Sequence, residues 1–203
     1  MAIRCITFDI GGVLLTLGES VYRLEVAKKL GLQQLPDTYQ EHMPDLQRGE
    51  IDESAVWEEI TGRPVDPHEF DDAYLAHFRP IESMIRLAER LRSQGYITAL
   101  LSNTQPSHAR LMREHRTFIF DFDPILFSCE IGHRKPEIEV YRLLLDRLGL
   151  EPHEVVFIDD EPVNVAGALN AGLYAIHHRG NAADTERALR HLLEDVNQHA
   201  EPF

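Results

Sequence analysis

Only two of the 203 residues are cysteine, Cys5 and Cys129. They show no CxxC or other metal-ligand spacing, so neither a disulfide framework nor a zinc site is written into the chain, and both are expected as reduced, buried small hydrophobes. Basic residues are scarce as well. Twenty Lys and Arg face 34 Asp and Glu, a formal net charge of −14, and no Lys/Arg-rich block stands out, which removes the electrostatic footprint of a nucleic-acid binder. Long apolar runs are missing too. Nothing approaches the ~18 residues that cross a bilayer, and the opening Met-Ala-Ile-Arg-Cys-Ile-Thr-Phe is too short in apolar residues for a signal-peptide core. The expectation is a soluble, cytoplasmic protein with no nucleic-acid and no membrane partner. Internal repeats and low-complexity segments are absent, and oligomeric state is not legible.

What is present is a core: 43% of the residues are hydrophobic, enough for one good core or a core with a small accessory lobe. Ile3 to Phe8 is apolar on both faces, as a doubly covered parallel strand is, and ends at Asp9-Ile10-Gly11-Gly12. Similar runs at Ile97 to Leu101, Val155 to Ile158 and Leu173 to Ile176 end at Ser102-Asn103, Asp159-Asp160 and His177, and Pro124 to Phe127 is a shorter candidate. Amphipathic helices alternate with them. Ile81, Met84, Ile85, Ala88 and Leu91 run to Gly95; Tyr141, Leu144, Leu145 and Leu148 run to Gly149; a last helix covers Asp184 to about Val196, before a polar tail. This order predicts an α/β fold with a Rossmann-like parallel sheet and right-handed crossovers.

Roughly ninety residues separate the first two strands, far more than one crossover helix needs. Ser20 is a candidate cap for a helix through Leu30 that Gly31 stops; Asp52 to Thr61 and Pro67 to Phe78 supply two more. The expected organisation is a core domain of residues 1–15 and 80–203 with a small helical cap, residues 16–79, inserted after the first strand.

Ligands of open α/β sheets bind outside the carboxyl ends of the strands, and three of these ends carry carboxylates or hydroxyls. Each has a plain alternative. Asp9 before Gly-Gly is ordinary turn chemistry, Ser102-Asn103 suits a helix cap, and Lys135 precedes Pro136 at the expected first turn of the helix to Leu148. Asp159-Asp160 says most, because adjacent carboxylates at the end of a buried strand repel unless a cation or a proton relieves them; capping a helix that opens at Pro162 is the competing account.

In order, these positions resemble the four motifs of the haloacid dehalogenase-like superfamily over nearly the whole chain. Phe-Asp-Ile-Gly-Gly-Val-Leu-Leu at 8–15, Leu-Leu-Ser-Asn-Thr at 100–104, His-Arg-Lys-Pro-Glu at 133–137 and Val-Phe-Ile-Asp-Asp-Glu-Pro-Val-Asn at 156–164 carry the resemblance. The insert between the first two is similar to the helical cap of the subgroup containing sugar phosphatases, 2-haloacid dehalogenases and the phosphatase domain of epoxide hydrolases. The resemblance implies a Mg2+-dependent phosphatase acting on a small phosphorylated metabolite, with Asp9 as nucleophile forming a phosphoaspartyl intermediate. It implies metal ligation by Asp9, the Gly11 carbonyl and Asp160, with Asp159 adjacent and Asn164 in support. Ser102 and the Asn103 N–H would hold phosphoryl oxygens, and Lys135 would offset charge in the transition state. A local cation would also answer the repulsion between an acidic surface and a phosphate ester.

One departure stands out. Phosphatases of the superfamily usually carry an aspartate two residues after the nucleophile as general acid, an effect worth about 10²- to 10⁴-fold; this chain has Gly11. Some phosphatases that this chain resembles, notably ones acting on glucose 1-phosphate, also have glycine there, and His133, a cap residue or water would have to supply the proton unless the leaving group needs little. Two other functions compete: a metal-free 2-haloacid dehalogenase, which tolerates Gly11 but gains nothing from Asp159-Asp160, and a catalytically weak relative that binds a phosphorylated ligand. Trp57 and Tyr74 read as cap core with some pocket exposure, His177-His178 as edge or loop structure, and His42, Asp45 and Arg48 as surface or as cap residues reaching the substrate.

Overall fold

The protein, as a computed structural model, is described over residues 2–198; the polar tail expected beyond them lies outside. β1 (Cys5–Phe8) is followed by α1 (Glu19–Lys29), α2 (Asp37–Glu41), α3 (Met43–Arg48), α4 (Glu53–Thr61) and, after a 3-10 turn over Pro67–Phe70, α5 (Asp71–His77). Alternation then begins with α6 (Glu82–Ser93), β2 (Ile97–Ser102), α7 (Pro106–His115), β3 (Ile125–Phe127), α8 (Ser128–Ile131) and α9 (Ile138–Leu148). It closes with β4 (Val155–Asp159), α10 (Pro162–Asn170), β5 (Tyr174–His177) and α11 (Ala182–Gln198).

The five strands form one parallel sheet in the order β3-β2-β1-β4-β5. β1 is central because both its faces are apolar. Ile6 and Phe8 belong to a cluster with Leu100, Val156 and Ile158, whereas Cys5 turns to the opposite cluster with Ala99, Leu101, Val155 and Phe157, as the two-residue alternation of a strand requires. α9 and α10 cover the second face through Tyr141, Leu144 and Ala168. On the first face α6 contributes Met84, Ala88 and Leu91 from the expected stripe, and the same cluster runs on into Tyr22, Tyr39, Leu46 and Trp57 of the insert.

The insert leaves and returns through one antiparallel stem. Thr16 N–H donates to the Arg79 carbonyl and Ile81 N–H to the Leu14 carbonyl, each at 2.8 Å, with Leu15 and Pro80 bridged between them. Two local expectations are corrected. α1 starts at Glu19 behind Gly18, one residue before Ser20, with no side-chain cap; the stem sets the chain's direction and Glu19 puts a carboxylate in the positive first turn. Lys135 and Pro136 are not in a helix, since α9 begins at Ile138; Asn103 grips the backbone of Lys135 and turns the chain there.

Candidate active site

The register sets the site. Phe8 is level with Leu100 of β2 and with Ile158 of β4, so Asp9, Ser102 and Asp159 emerge side by side at the carboxyl edge. Asp9 N–H makes a last rung to the Ile158 carbonyl at 2.9 Å, after which the Ile10 carbonyl accepts from Leu14 and Leu15 N–H and closes a tight turn. Within that turn Gly12 has φ 72°, and a Cβ there would run into the Asp160 carboxylate, so glycine is what lets Asp160 lie against the loop. Gly11 differs: a Cβ there would meet Leu17 Cδ2 at 3.6 Å, ordinary contact.

At the centre is Lys135, 1% exposed, whose Nζ donates to Asp9 Oδ1 at 2.6 Å and to Asp159 Oδ2 at 2.7 Å. It is held there through its backbone. The Asn103 side chain accepts from Lys135 N–H at 2.8 Å and donates to its carbonyl at 2.9 Å, a paired clip from the exit of β2. Asp159 is fully engaged: Oδ1 accepts from Glu161 N–H at 2.8 Å and from Asn164 Nδ2 at 3.1 Å, and Oδ2 from Lys135 and Asn164. Asp160, in contrast, receives nothing from another described residue through its carboxylate; its backbone carbonyl accepts from His177 Nε2 at 2.9 Å.

One ammonium cannot balance three carboxylates. Burial holds the Asp9 carboxyl above the usual carboxylate range against the pull of Lys135, and burial with Asp159 beside it pushes Asp160 up to about 6. Burial also works against the Lys135 charge, but Asp9 and Asp159 outweigh it and raise its pKa. Asp9, Asp159 and Asp160 offer oxygen atoms all within 4.8 Å of one another. A hard divalent cation fits this donor set, because it takes oxygen ligands and relieves the excess negative charge.

A cavity of 480 Å³ opens over these groups, lined by Asp9, Ser102, Asn103, Lys135, Asp160 and Asn164, with Gln47 from α3 and Arg134. Ser102 is 4% exposed, and its hydroxyl makes no side-chain hydrogen bond to a described residue. Arg134 and Gln47 were not legible as site residues; Arg134 Nε donates to Gln47 Oε1 at 2.9 Å and its other guanidinium N–H groups have no hydrogen-bond partner among the described residues. The only hint was that Arg134 precedes Lys135. Other readings are sorted by geometry. His133 turns to Glu137, 3.8 Å away, His42 pairs with Glu59, and Arg48 pairs with Glu137 and Asp45. Trp57 is fully buried against Tyr39 and Tyr74 lines a second cavity. His178 is buried against Thr185, and His177, expected as edge structure, also supports Asp160.

A family model of haloacid dehalogenase-like hydrolases matches residues 3–172. The chain belongs to that family. This hydrolase is 27% identical over 174 residues to sesquiterpene phosphatase astK of Aspergillus oryzae, covering 84% of this chain and 87% of the relative. It is 36% identical over 132 residues to bifunctional epoxide hydrolase 2 of Sus scrofa, 62% of this chain but 22% of that longer protein. A haloacid dehalogenase family enzyme from Bacteroides thetaiotaomicron, solved with magnesium and inorganic phosphate, superposes with a TM-score of 0.77 at 26% identity, over 89% of this chain and 96% of that one. Among the described residues no helix is long and apolar enough to cross a membrane.

Proposed function

We propose that this haloacid dehalogenase-like hydrolase is a magnesium-dependent phosphatase of small phosphomonoesters working through a phosphoaspartyl intermediate. The observation that carries the reading is the Asp9–Lys135–Asp159 cluster with Asp160 left open beside it. Asp9, Asp160 and the Gly11 carbonyl would hold Mg2+, which supplies charge neutralisation for the phosphoryl oxygens. Asp9 attacks phosphorus, the phosphorus–oxygen ester bond breaks, and the leaving alkoxide takes a proton from water, since position 11 has no carboxyl and His133 faces Glu137. A second water then attacks phosphorus and returns the Asp9 carboxylate with inorganic phosphate. Ser102 and Asn103 N–H bind phosphoryl oxygens, while Lys135, oriented by Asp159 and the Asn103 clip, sets the aspartate's charge and direction.

Residues 16–79 act as the cap over a core of residues 1–15 and 80–203, with Gln47 reaching the site, and the enzyme works in the cytoplasm, where its two free thiols stay reduced. The test is phosphate release from 4-nitrophenyl phosphate and glucose 1-phosphate, with magnesium and with chelator, alongside Asp9→Asn. Turnover abolished by chelator and by Asp9→Asn supports the reading. Halide release from 2-chloropropionate without metal, and no phosphate release, would replace it with dehalogenation.

A further inference from the structure

Arg134 ties the core to the insert where two cavities meet. Its Nε donates to Gln47 Oε1 at 2.9 Å, and Gln47 lines both the cavity over the site and a second one, of 340 Å³, that shares Gly11, Leu17, Ser102 and Asn103 with it. The guanidinium is thereby held at the insert side of the first cavity. Its other N–H groups have no hydrogen-bond partner among the described residues, and they are reachable, because the unpaired side-chain nitrogens that are closed off belong to Trp57, His108 and Arg116.

The charges nearby are committed elsewhere. Lys135 serves Asp9 and Asp159. Glu137 accepts from the Arg48 guanidinium and from the backbone N–H of Arg134, so one carboxylate faces two arginines. Arg134 itself forms no ion pair with a described residue. Burial and Arg48 hold its pKa below the usual arginine value against the pull of Glu137, yet a guanidinium stays charged at neutral pH. The remaining carboxylates of the wall do not serve it: Asp9 and Asp160 belong to the cation end, and Glu161 is exposed. Arg23 in the second cavity is a different case, since it donates to Gln40, lies over the Tyr39 ring and has the charge of Glu19 beside it.

A half-buried cation with a free fork and no counter-ion suits a carboxylate, whose two oxygens match two parallel N–H groups and whose one charge offsets one charge. A second phosphate would bring two charges to a wall that already holds Asp160 and Glu161. We propose that Arg134 is an anion subsite for a carboxylate carried on the leaving alcohol, so that the preferred substrates are phosphate esters of short hydroxy acids. The inference rests on the phosphatase reading for its chemistry, but not for its binding geometry. Arg134 is a specificity residue: it touches the alcohol and takes no part in the transfer of the phosphoryl group.

The test compares carboxymethyl, 2-carboxyethyl and 3-carboxypropyl phosphate, each against the carboxamide of the same length, by kcat/KM with magnesium. At one or more lengths the parent enzyme is expected to favour the acid by roughly tenfold, the scale of one charge-assisted hydrogen bond. Arg134→Gln, which keeps a donor but not the charge, brings the ratio to near one, and Arg134→Lys, which keeps the charge but not the fork, retains part of it. The readout is a ratio within one preparation, so a loss of folded enzyme cancels. Ratios of one or below at every length in the parent overturn the assignment. So does an equal fall for acid and amide in Arg134→Gln, which would put the guanidinium on the phosphoryl group instead. Calorimetry with the matching non-hydrolysable phosphonates separates the two ideas. Tighter binding of the acid that Arg134→Gln abolishes supports the subsite even if no ester is cleaved; equal affinities of acid and amide at every length in the parent sink it whatever the turnover.

Discussion

The ammonium of Lys135 lies 2.6 Å from Asp9 Oδ1, with the lysine 1% and the aspartate 9% exposed in their side chains. Removing one partner of so buried a pair strands the other, at a cost of about 3–5 kcal/mol. Lys135→Met is therefore expected to lower unfolding stability in urea by that order and to abolish turnover. In the double variant with Asp9→Asn the loss should be much smaller than the sum of the two single losses. Additive losses would mean the pair is not coupled.

Asp159 and Asp160 are neighbours with opposite employment. Asp159 is spent on Lys135, Asn164 and the Glu161 N–H, whereas Asp160 has an open carboxylate. Asp160→Asn, which removes a carboxylate that burial and Asp159 hold above its ordinary range, is expected to raise stability at neutral pH, yet to weaken magnesium binding at least tenfold by calorimetry. Asp159→Asn should do the reverse in emphasis, costing about 1–3 kcal/mol of stability by taking a charged acceptor from Lys135. Equal metal affinities in Asp160→Asn and the parent would remove Asp160 from the ligand set.

The two glycines after Asp9 make a contrasting pair. A Cβ at Gly11 meets only Leu17 Cδ2 at 3.6 Å, while at Gly12 it meets the Asp160 carboxylate and a φ of 72°. Gly11→Asp is expected to fold and to raise turnover of alkyl phosphates by about 10- to 100-fold, with little gain for aryl phosphates, whose leaving group needs no acid. Gly12→Ala is expected to lower both stability and metal affinity. Equal effects of Gly11→Asp on alkyl and aryl esters would show that proton supply does not limit the reaction.

Strands and their exits were legible because burial on both faces of a parallel sheet imposes continuous apolar runs, as at Cys5–Phe8 and Val155–Asp159, whereas the helix α7 over Pro106–His115 was not. The sequence also carried Asp9, Ser102, Lys135, Asp159 and Asp160 through their resemblance to ordered motifs, and the fold brings them to one edge. Second partners were not legible. Asn103 as a clip for Lys135 and His177 as support for Asp160 depend on contacts across 32 and 17 residues of chain, which no local pattern encodes. The same holds for Glu53, a buried carboxylate of α4 that accepts from Gln105 and Ser107 and so ties the insert to the loop after β2. Short helices such as α2 and α3 have too few residues to show a period.

His108 gives an acid-stability signature independent of catalysis. Its unfolded pKa is 6.5 and burial lowers the folded value to about 3, so between these values the unfolded chain takes up a proton that the folded one refuses. The stability is fully present above pH 6.5 and is lost as pH falls toward 3, by up to roughly 1.4 kcal/mol per pH unit. Glu53, raised by burial, acts oppositely, contributing stability below its unfolded value of 4.5 that is lost as pH rises through the folded one. The parent curve mixes both, and only a difference isolates the histidine. Urea unfolding of the parent and of His108→Phe from pH 7.5 to 4.5 should therefore diverge below pH 6.5, the parent losing about 3 kcal/mol relative to the variant by pH 4.5. Parallel curves would mean that the imidazole reaches water in the free enzyme.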